Sequence, residues 1–491
     1  MDKPIDSIDN GGIDNNVANN LTNFKGKQKP LFALPKGLCE KTIKDISAEK
    51  NEPDWMLAKR LKAYKIFLQL EMPDFGPDLS KLNFNDITYY IKPSARKART
   101  WEEVPPYIKD TFDKLGVPQA ERKFFGGVEA MFESEAVYQT LRKEWDEKGI
   151  IFTDTDSAVK EYPELVKKYF GTIVAPEDNK FAALNSAVWS GGSFLFMPKG
   201  VKLEVPIQAY FRINAKAFGQ FERTLIICED ESKIHYSEGC TAPIYSETSL
   251  HAAVVECVVK KNAHLRYTTI QNWSKNIYNL VTKRAFAYKN AFVEWVDGNI
   301  GSGINMKYPA VYLKETGARA KFLSISYAGN GQNQDAGARV IHEARNTTSL
   351  IHSKNIAKNG GVTSFRGVIK FGDRAENAKS SARCDALLLD SDSKNITHPL
   401  LQSAQRQSTI VHEANVGKIS EDQVFYLMSR GMSESEAISL IVIGFIDEFI
   451  KELPLEYAVE LNKLVQLEIE KKLGYTDPLK KRGSHILNQS R

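Results

Sequence analysis

The sequence predicts a mainly β protein whose core is a parallel β-helix, flanked by α-helical regions on both sides. Short runs that alternate apolar and polar residues, such as LEVPIQAYFRI and HLRYTTI, become frequent after about residue 181. Turns of similar composition recur at intervals of 28, 26, 30 and 31 residues, starting at Asn262, Asn290, Thr316, Asn346 and Asn377. A repeat near 30 residues made of strands and turns suits stacked coils better than propeller blades, which need roughly 40 to 50 residues. The alternative is a β-sandwich, for which so regular a spacing is unexpected.

The N-terminal part divides into two regions. Residues 1–30 are rich in Asn, Asp and Gly and nearly free of large apolar side chains, so we expect a disordered tail. Residues 31–180 are predicted to be mainly helical. Within them, helix formers and an apolar stripe predict a helix over 48–70, and a second helical stretch is expected over 104–146, with a break at FGGVE.

The β-helix core is assigned to 181–416 and a C-terminal helical region to 417–491. Two capping-box patterns, in which a Ser precedes a Gln or Glu by three residues, predict that helices begin after Ser420 and Ser433. Gly431 lies where the first of these helices should end.

The second helix of this pair carries one apolar stripe, and a third helix is expected over 456–473. The C-terminal helices suit two roles, covering the open end of a solenoid or docking a partner.

Composition excludes several classes of function. The net charge is only +5 and basic residues alternate with acidic ones, so nucleic acid is not an expected partner. The most apolar stretch, 438–450, is interrupted by charge, so no membrane span is predicted. The first residues do not follow the plan of a signal peptide, and we expect a cytoplasmic protein, or a stromal one if the gene is plastid-encoded. Five scattered cysteines without a CxxC pair indicate a reducing compartment and no self-contained cluster site.

One candidate site lies near the end of the strand region. Cys384 stands in SSARCDALLLD, and His412 and Glu413 stand side by side in VHEANVG, about one period of the repeat after the cysteine. Because one coil has that length, we expect Cys384 and Glu413 to stack about 5 Å apart, the spacing of neighbouring strands. A thiolate, a carboxylate and an imidazole suit iron, but they are too few to complete a cluster site without a second chain. The alternative is that Cys384 is a small buried apolar residue.

A second candidate is Cys240 in HYSEGCTAP, expected in a turn and more exposed than Cys228 or Cys257. Polar and cationic residues on neighbouring coils are expected to lie near this thiol: Arg212, Asn214, Gln271, Trp273 and Lys283. Cations near the thiol would lower its pKa. The alternatives are that Trp273 belongs to the core and that the two cations are solvated or paired.

Several long strings of this chain closely resemble the SufB family: YSEGCTAPIYSETSLHAAVVE, TTIQNW, CDALLLD, HEANVGKISEDQVFYLMSRGMSESEA and ELPLEYAVELNKLVQLEIE. The resemblance extends over about residues 40–475. It implies a right-handed parallel β-helix and a scaffold, rather than an enzyme, on which iron–sulfur clusters are assembled in the SUF system. It also implies partners: the paralogue SufD, the SufC ATPase bound through the C-terminal helices, and a SufS desulfurase that supplies sulfur through SufE or SufU. Self-association is a further expectation.

The resemblance also implies roles for individual residues. Cys240 matches the sulfur acceptor, and Arg212, Asn214, Gln271, Trp273 and Lys283 match positions along the sulfur route. Cys384 and Glu413, with the adjacent His412, match the place where a transient cluster is built. Reduced flavin (FADH2) is associated with the family's complex, although this chain lacks a nucleotide fingerprint.

This chain departs from the family in one loop, because the glycine-rich stretch that follows QNW in many relatives is reduced here to SerLysAsn. Two other functions fit the sequence less well. A polysaccharide lyase or hydrolase of the β-helix type would call for clustered Asp residues, and the structural paralogue SufD would not call for the EGC and RCDALLL cysteines.

Overall fold

The computed structural model describes residues 30–93, 98, 100–106, 108–109, 125–213, 217–242, 248–453 and 458. The expected N-terminal tail, apart from its last residue, and nearly all of the third C-terminal helix lie outside the described residues, as does Asn214.

The described α-helices lie before the strand-rich region, among its first strands and after it. They are α1 (Glu40–Glu49), α2 (Asp54–Gln69), α3 (Lys143–Asp146), α4 (Thr155–Glu161), α5 (Pro163–Tyr169), α6 (Lys180–Val188), α7 (Glu421–Ser429) and α8 (Glu434–Ile450). Single 3-10 turns are Phe84–Asp86, Trp101–Glu103 and Pro176–Asp178. No helix in these parts of the chain is long and apolar enough to span a membrane.

Strands occupy most of the chain between residues 127 and 418. The early strands are β1 (Phe32–Ala33), β2 (Ile91–Lys92), β3 (Gly127–Phe132), β4 (Glu135–Leu141), β5 (Ile151–Asp154), β6 (Ser193–Met197), β7 (Ile207–Arg212), β8 (Gly219–Gln220), β9 (Arg223–Cys228), β10 (Lys233–Thr241), β11 (Ser249–His251) and β12 (Val254–Val259). The later strands are β13 (His264–Trp273), β14 (Ile277–Ala287), β15 (Phe292–Gly301), β16 (Ile304–Lys307), β17 (Ala310–Leu313), β18 (Arg319–Ala328), β19 (Asn333–His342), β20 (Thr348–Ala357), β21 (Val362–Phe371), β22 (Lys379–Leu388), β23 (Lys394–Ser403) and β24 (Thr409–Lys418).

Two long sheets face each other along the molecule. One has the strand order β24-β22-β20-β18-β15-β13-β10-β7-β3-β4, and the other runs β23-β21-β19-β16-β14-β12-β9-β6-β5 with β8, β11 and β17 beside this path. From β6 onwards the chain passes repeatedly from one sheet to the other. Neighbouring strands within each sheet pair in parallel, apart from the antiparallel pairs β3–β4 and β5–β6. The result is a β-solenoid of about seven turns, which confirms the predicted parallel β-helix and excludes the sandwich.

The corners of the solenoid explain the periodic Asn residues. Asn262, Asn290, Asn346 and Asn377 have φ between 53° and 57°, and at the remaining corner Gly317, next to Thr316, has φ 74°. Only Gly, and to a lesser degree Asn, adopts this left-handed conformation at low cost. The repeat in the sequence therefore marks the turn at which each coil changes direction.

Apolar side chains fill the inside of the solenoid, and helices cover part of its outside. The stripe of α8 places Val442, Ile446 and Phe449 against the outer face of the ten-stranded sheet, where they bury Leu323 and Ile325. The N-terminal helices α1, α2 and α6 form a second cluster on the outer face of the other sheet. The inside of the solenoid, which we call the lumen, is thus separate from the helical packing.

The C-terminal helical hairpin begins and ends as predicted. The Ser420 side chain accepts a hydrogen bond from the Gln423 amide, and Ser433 and Glu436 form a reciprocal capping box. Gly431 lies between the two helices with φ 95°.

One helical prediction in the N-terminal region is wrong over part of its length, and another is wrong only at its start. The stretch 127–141 is an antiparallel hairpin, β3–β4, because β3 pairs with β7 and extends the ten-stranded sheet. The helix predicted over 48–70 is present as α2, but it begins at Asp54, since Asn51 has φ 49° and Pro53 precedes the helix. In both places, tertiary pairing or a local turn outweighs helix propensity.

Candidate functional site

Cys240 lies inside the solenoid. It belongs to β10, is fully buried, and has its Sγ atom 3.5 Å from Oε1 of Glu238, which faces the lumen two residues earlier. Burial raises the pKa of the Cys240 thiol well above its ordinary value, and the carboxylates of Glu238 and Glu222 raise it further, against the opposing effect of Lys283. The predictions of an exposed turn and of a lowered pKa are therefore wrong, because a strand buries this thiol beside carboxylates.

A polar network begins near this thiol at His251. Its Nε2 is 2.7 Å from Glu222, and its Nδ1 is 2.6 Å from the side-chain oxygen of Asn279. Burial lowers the pKa of His251, but the charge and hydrogen bond of Glu222, the hydrogen bond to Asn279 and the charge of Glu238 together outweigh burial, so that the pKa is raised overall. Asn279 lies one coil after His251 and donates from Nδ2 to Oε1 of Gln271, at 2.6 Å, which extends the network from one sheet to the other.

The network continues to two buried lysines. Lys307 Nζ lies 3.4 Å from Gln271 Oε1 and 3.1 Å from Asp297 Oδ1, and Lys283 Nζ lies 3.6 Å from the same Asp297 oxygen. Burial lowers the pKa of Lys307 to about 8. Lys283 is also buried and lies over the ring of Tyr267, 4.4 Å from its centroid. The side chains from Glu222 to Lys283 are thus joined through the lumen.

Of the five predicted route residues, Asn214 lies outside the described residues, three of the other four lie together and Arg212 does not. Gln271 pairs directly with Cys240 in the sheet, Trp273 packs on the His251 ring at 4.7 Å, and Lys283 faces the same lumen. Arg212 pairs instead with Thr241 and donates to its hydroxyl at 3.1 Å. Because neighbouring residues of a strand point to opposite faces, Arg212 lies on the other side of the sheet from Cys240.

Sequence reasoning missed five members of this interior: Glu222, Glu238, His251, Asp297 and Lys307. One signal was available. Asn299 lies in register with Cys240, two strands away in the same sheet. In EGC and VDGN the acidic residue lies two positions before Cys240 and Asn299, respectively, and so faces the same side of its strand.

Cys384 also faces the lumen, near the other end of the solenoid. It is 3% exposed, and its Sγ lies 3.7 Å from Nε2 of His412. Burial raises the pKa of this thiol to about 12, with a further contribution from Asp385.

The predicted stacking of Cys384 on Glu413 is wrong by one residue. The last coil is one residue longer in this sheet than the prediction assumes, so Cys384 pairs with Ala414 and Glu413 pairs with Arg383. Glu413 consequently points away from the lumen, whereas His412 points into it. Within the described parts of the chain, no group of three or more His, Cys, Asp or Glu side chains is arranged to hold a metal ion.

On the outer side of β22, the strand that carries Cys384, Asp385 is linked through His352 to helix α8. His352 lies between two carboxylates, with Nε2 3.2 Å from Asp385 and Nδ1 3.2 Å from Glu448 of the helix. Asp385 also accepts from Arg383 and from Asn415. The strand that carries Cys384 is thereby linked to the C-terminal hairpin.

The solenoid ends in a coil with exposed apolar side chains. Among the described residues, β23 and β24 are the outermost strands of their sheets. Leu400, Leu401, Val411 and Val416 on these strands are 44 to 55% exposed. Such a free edge with apolar side chains can pair with another strand.

A second apolar surface lies on the hairpin of α7 and α8. Phe425 is 73% exposed, and Tyr426, Met428 and Leu440 are also exposed. Tyr426 borders an open groove that is shared with Leu427 and Ile441.

Comparison with known proteins gives consistent matches along the chain. Residues 36–209 match the family described as SufBD protein N-terminal region, and residues 211–445 match the SufBD core domain of SUF system FeS cluster assembly. An iron-sulfur cluster assembly SufBD family protein of Staphylococcus aureus (strain USA300) is 57% identical over 451 residues, which cover 92% of this chain and 97% of that protein. One from Staphylococcus haemolyticus (strain JCSC1435) is 56% identical over the same extent.

Proposed function

The chain belongs to the SufBD family of iron–sulfur cluster assembly proteins, and we propose that within this family it is the SufB-type scaffold, which accepts sulfur at Cys240 and builds a cluster at Cys384. The observation that carries this proposal is that both cysteines face one lumen from the same sheet. Two thiols in one enclosed interior suit a protein that receives sulfur at one point and uses it at another.

The proposed roles follow from the positions of the side chains. Cys240 takes up persulfide sulfur that a SufS desulfurase delivers through SufE or SufU. Gln271, Trp273 and Lys283 line the route, to which Arg212 and Asn214 are also assigned. Iron and sulfide are substrates here, and Cys384 with His412 holds the nascent cluster from inside the solenoid. Glu413 contributes a carboxylate from the outer face.

Partner proteins complete this scheme. The free edges of β23 and β24 would pair with the paralogue SufD, or with a second copy, which would supply the missing cluster ligands beside Cys384. The exposed apolar face of α7 and α8 would dock the SufC ATPase, which would perform the ATP hydrolysis. In this scheme the chain itself is an assembly protein and not an enzyme. Reduced flavin, if the complex uses it, would serve as an electron donor.

Anaerobic sulfur loading and cluster reconstitution test the proposal. Persulfide formed by the desulfurase is mapped by mass spectrometry in the wild type, Cys240→Ala and Cys228→Ala. Cys228 is a suitable control because it is equally buried in the same core. We expect loading to disappear only in Cys240→Ala and the visible chromophore to disappear in Cys384→Ala. Persulfide that persists in Cys240→Ala, or a chromophore unchanged in Cys384→Ala, contradicts the proposal.

A further inference from the structure

Six lumen-facing residues of the ten-stranded sheet lie in register, one on each of six neighbouring strands. They are Glu238, Thr269, Asp297, Ser324, Ser353 and Cys384, which we call the lumen ladder. Five strand spacings separate the first from the last, about 24 Å in all. Since Glu238 contacts the Cys240 thiol, the ladder connects the surroundings of one cysteine to the other.

The two halves of the ladder differ in charge. As far as Asp297, the lumen contains carboxylates, two lysines and His251. Beyond it, the polar lumen residues of β18 and β20 include Ser324, Ser326, Ser353 and Asn355, all buried. In strands β18 to β22, which are described throughout, no Lys, Arg, Asp or Glu side chain faces the lumen. At the corner, burial lowers the pKa of His342 to about 3, so this imidazole is neutral.

A small cavity lies at the boundary between the two halves. Asp297 and Ser324 of the ladder border it, together with Trp295, Phe322, Ala338 and Phe365. The space within it that the centre of a water-sized molecule can occupy is about 10 Å³. That is close to the minimum needed for one such molecule. The cavity therefore has room for a very small guest and for nothing the size of a peptide thiol.

The neutral half of the lumen favours an uncharged guest. A buried anion without a cation or sufficient hydrogen-bond donors costs several kcal/mol or more. The Ser324 and Ser353 hydroxyls, 3.3 Å apart, can each donate a hydrogen bond to, and accept one from, a small uncharged molecule that carries both hydrogens and lone pairs. At the boundary, the Lys307 ammonium can return the proton to any hydrosulfide that forms when hydrogen sulfide ionises, which leaves a neutral amine.

We propose that sulfur crosses the half of the lumen between Asp297 and Cys384 as hydrogen sulfide, resting in this cavity, with Ser324 and Ser353 as positioning residues. The inference rests on the proposed function. Release from a Cys240 persulfide consumes a two-electron reductant of the dithiol class. The S–S bond breaks and the dithiol is oxidised to a disulfide. One of the dithiol's two hydrogens goes to the Cys240 thiol. The other joins the persulfide's own hydrogen on the released sulfur and gives hydrogen sulfide.

A single-turnover transfer experiment tests the inference. Cys240 is loaded with radiolabelled persulfide sulfur, excess donor is removed, and ferrous iron with dithiothreitol is added anaerobically. The readout is labelled acid-labile sulfide that stays with the protein. Ala338→Ile fills the cavity, whereas Val340→Ile places the same side chain on the same face of β19, away from the cavity lining. We expect at least a tenfold loss of retained label in Ala338→Ile and wild-type retention in Val340→Ile.

Three further measurements identify the cause of any loss. Circular dichroism and melting confirm that both variants are folded, and persulfide loading of Cys240 should equal that of the wild type. Sodium sulfide added from outside should restore the cluster in Ala338→Ile, because Cys384 lies one strand from the end of its sheet. Ser353→Ala, which keeps the space but removes a hydroxyl, should slow transfer several-fold.

The outcomes separate the two proposals. If the wild type neither loads Cys240 nor holds a cluster, the proposed function fails. If the wild type does both and Ala338→Ile retains as much label as Val340→Ile, passage through the cavity is overturned. Unchanged transfer in Ser353→Ala overturns the positioning role of that hydroxyl.

Discussion

The thiol of Cys384 faces the imidazole of His412 across the last strand pair of the ten-stranded sheet, with 3.7 Å between Sγ and Nε2. Glu413, the next residue, points to the opposite face and pairs with Arg383. A cluster bound inside the solenoid would therefore meet sulfur and nitrogen ligands from this chain, while the carboxylate is reached only around the outer edge of β24.

This arrangement predicts that His412 matters more than Glu413 for a cluster on the isolated chain. We expect His412→Ala to lower retained iron and sulfide about tenfold or more, by analogy with the loss of a group that orients a metal site. Glu413→Ala should lower it less. His398→Ala is the matched control, since His398 is an exposed histidine on the neighbouring terminal strand. Equal losses in His412→Ala and His398→Ala would contradict the assignment.

The exposed face of the C-terminal hairpin predicts a local effect on partner binding. Phe425→Ala should weaken SufC ATPase binding about thirtyfold if this side chain is an interface anchor worth about 2 kcal/mol. Titration calorimetry with purified ATPase measures the change. Phe75→Ala removes another half-exposed phenylalanine, in the N-terminal region, and should leave affinity unaltered. Unchanged affinity in Phe425→Ala would remove this residue from the docking surface.

A buried ion pair predicts a large loss of stability. Glu256 accepts hydrogen bonds from the amides of Gly171, Ile173 and Val174 and pairs with Arg223 at 2.6 Å, with both side chains fully buried. Glu256→Gln leaves the guanidinium without its charge partner and should lower the free energy of unfolding by about 3 to 5 kcal/mol.

An exposed pair provides the control for that measurement. Glu177 lies 3.9 Å from Lys62, and both side chains are more than half exposed. Glu177→Gln should change the free energy of unfolding, measured with urea, by less than about 1 kcal/mol. Comparable losses in the two variants would mean that burial does not set the strength of the Glu256 pair.

His342 predicts acid sensitivity of the fold. Burial lowers its pKa from the ordinary 6.5 to about 3, and its nitrogens contact Thr347 and Ser349. The unfolded chain takes up this proton below pH 6.5 and the folded chain does so only near pH 3. Stability is therefore lost as the pH falls through this window, by about 2 kcal/mol between pH 7 and pH 5.

Chemical denaturation at both pH values tests this dependence. His342→Gln lacks the titrating group, so its loss of stability on acidification should be smaller than that of the wild type by the same amount. His398→Gln, at an exposed position, should follow the wild type. An acid dependence identical in all three proteins would show that His342 does not titrate in this window.

The sequence is sufficient to predict the repeating coil, but it does not predict which residues of successive coils pair with each other. Asn262 and its counterparts reveal the period because a corner needs a residue that tolerates positive φ. The coil length varies slightly along the solenoid, however, and an error of one residue reverses the face of a side chain. The sequence-based prediction therefore stacks Glu413 on Cys384, although Ala414 occupies that place and the His412 ring reaches the thiol from two residues earlier.

Polar residues inside the solenoid were the hardest to predict. In most sheets a polar residue at alternate positions marks the solvent face, and Asp297 and Lys307 follow that pattern while facing inward. Only pairing between distant strands, such as Asp297 with Ser324, shows that these side chains share one interior. The hairpin β3–β4 was missed for a related reason, since its partner β7 follows only after several intervening helices and strands.

The two ends of the solenoid are unlike each other. At one end the sheets finish in the antiparallel strands β4 and β5, and at the other end, within the described part of the chain, β23 and β24 leave their outer edges unpaired. If solenoids pair only through the β23 and β24 end, one solenoid can join a second and then has no such edge left for a third. Pairing through this end would therefore stop at two solenoids instead of propagating into a fibre. Each pair of solenoids would then contain a single interface at which a cluster could be assembled.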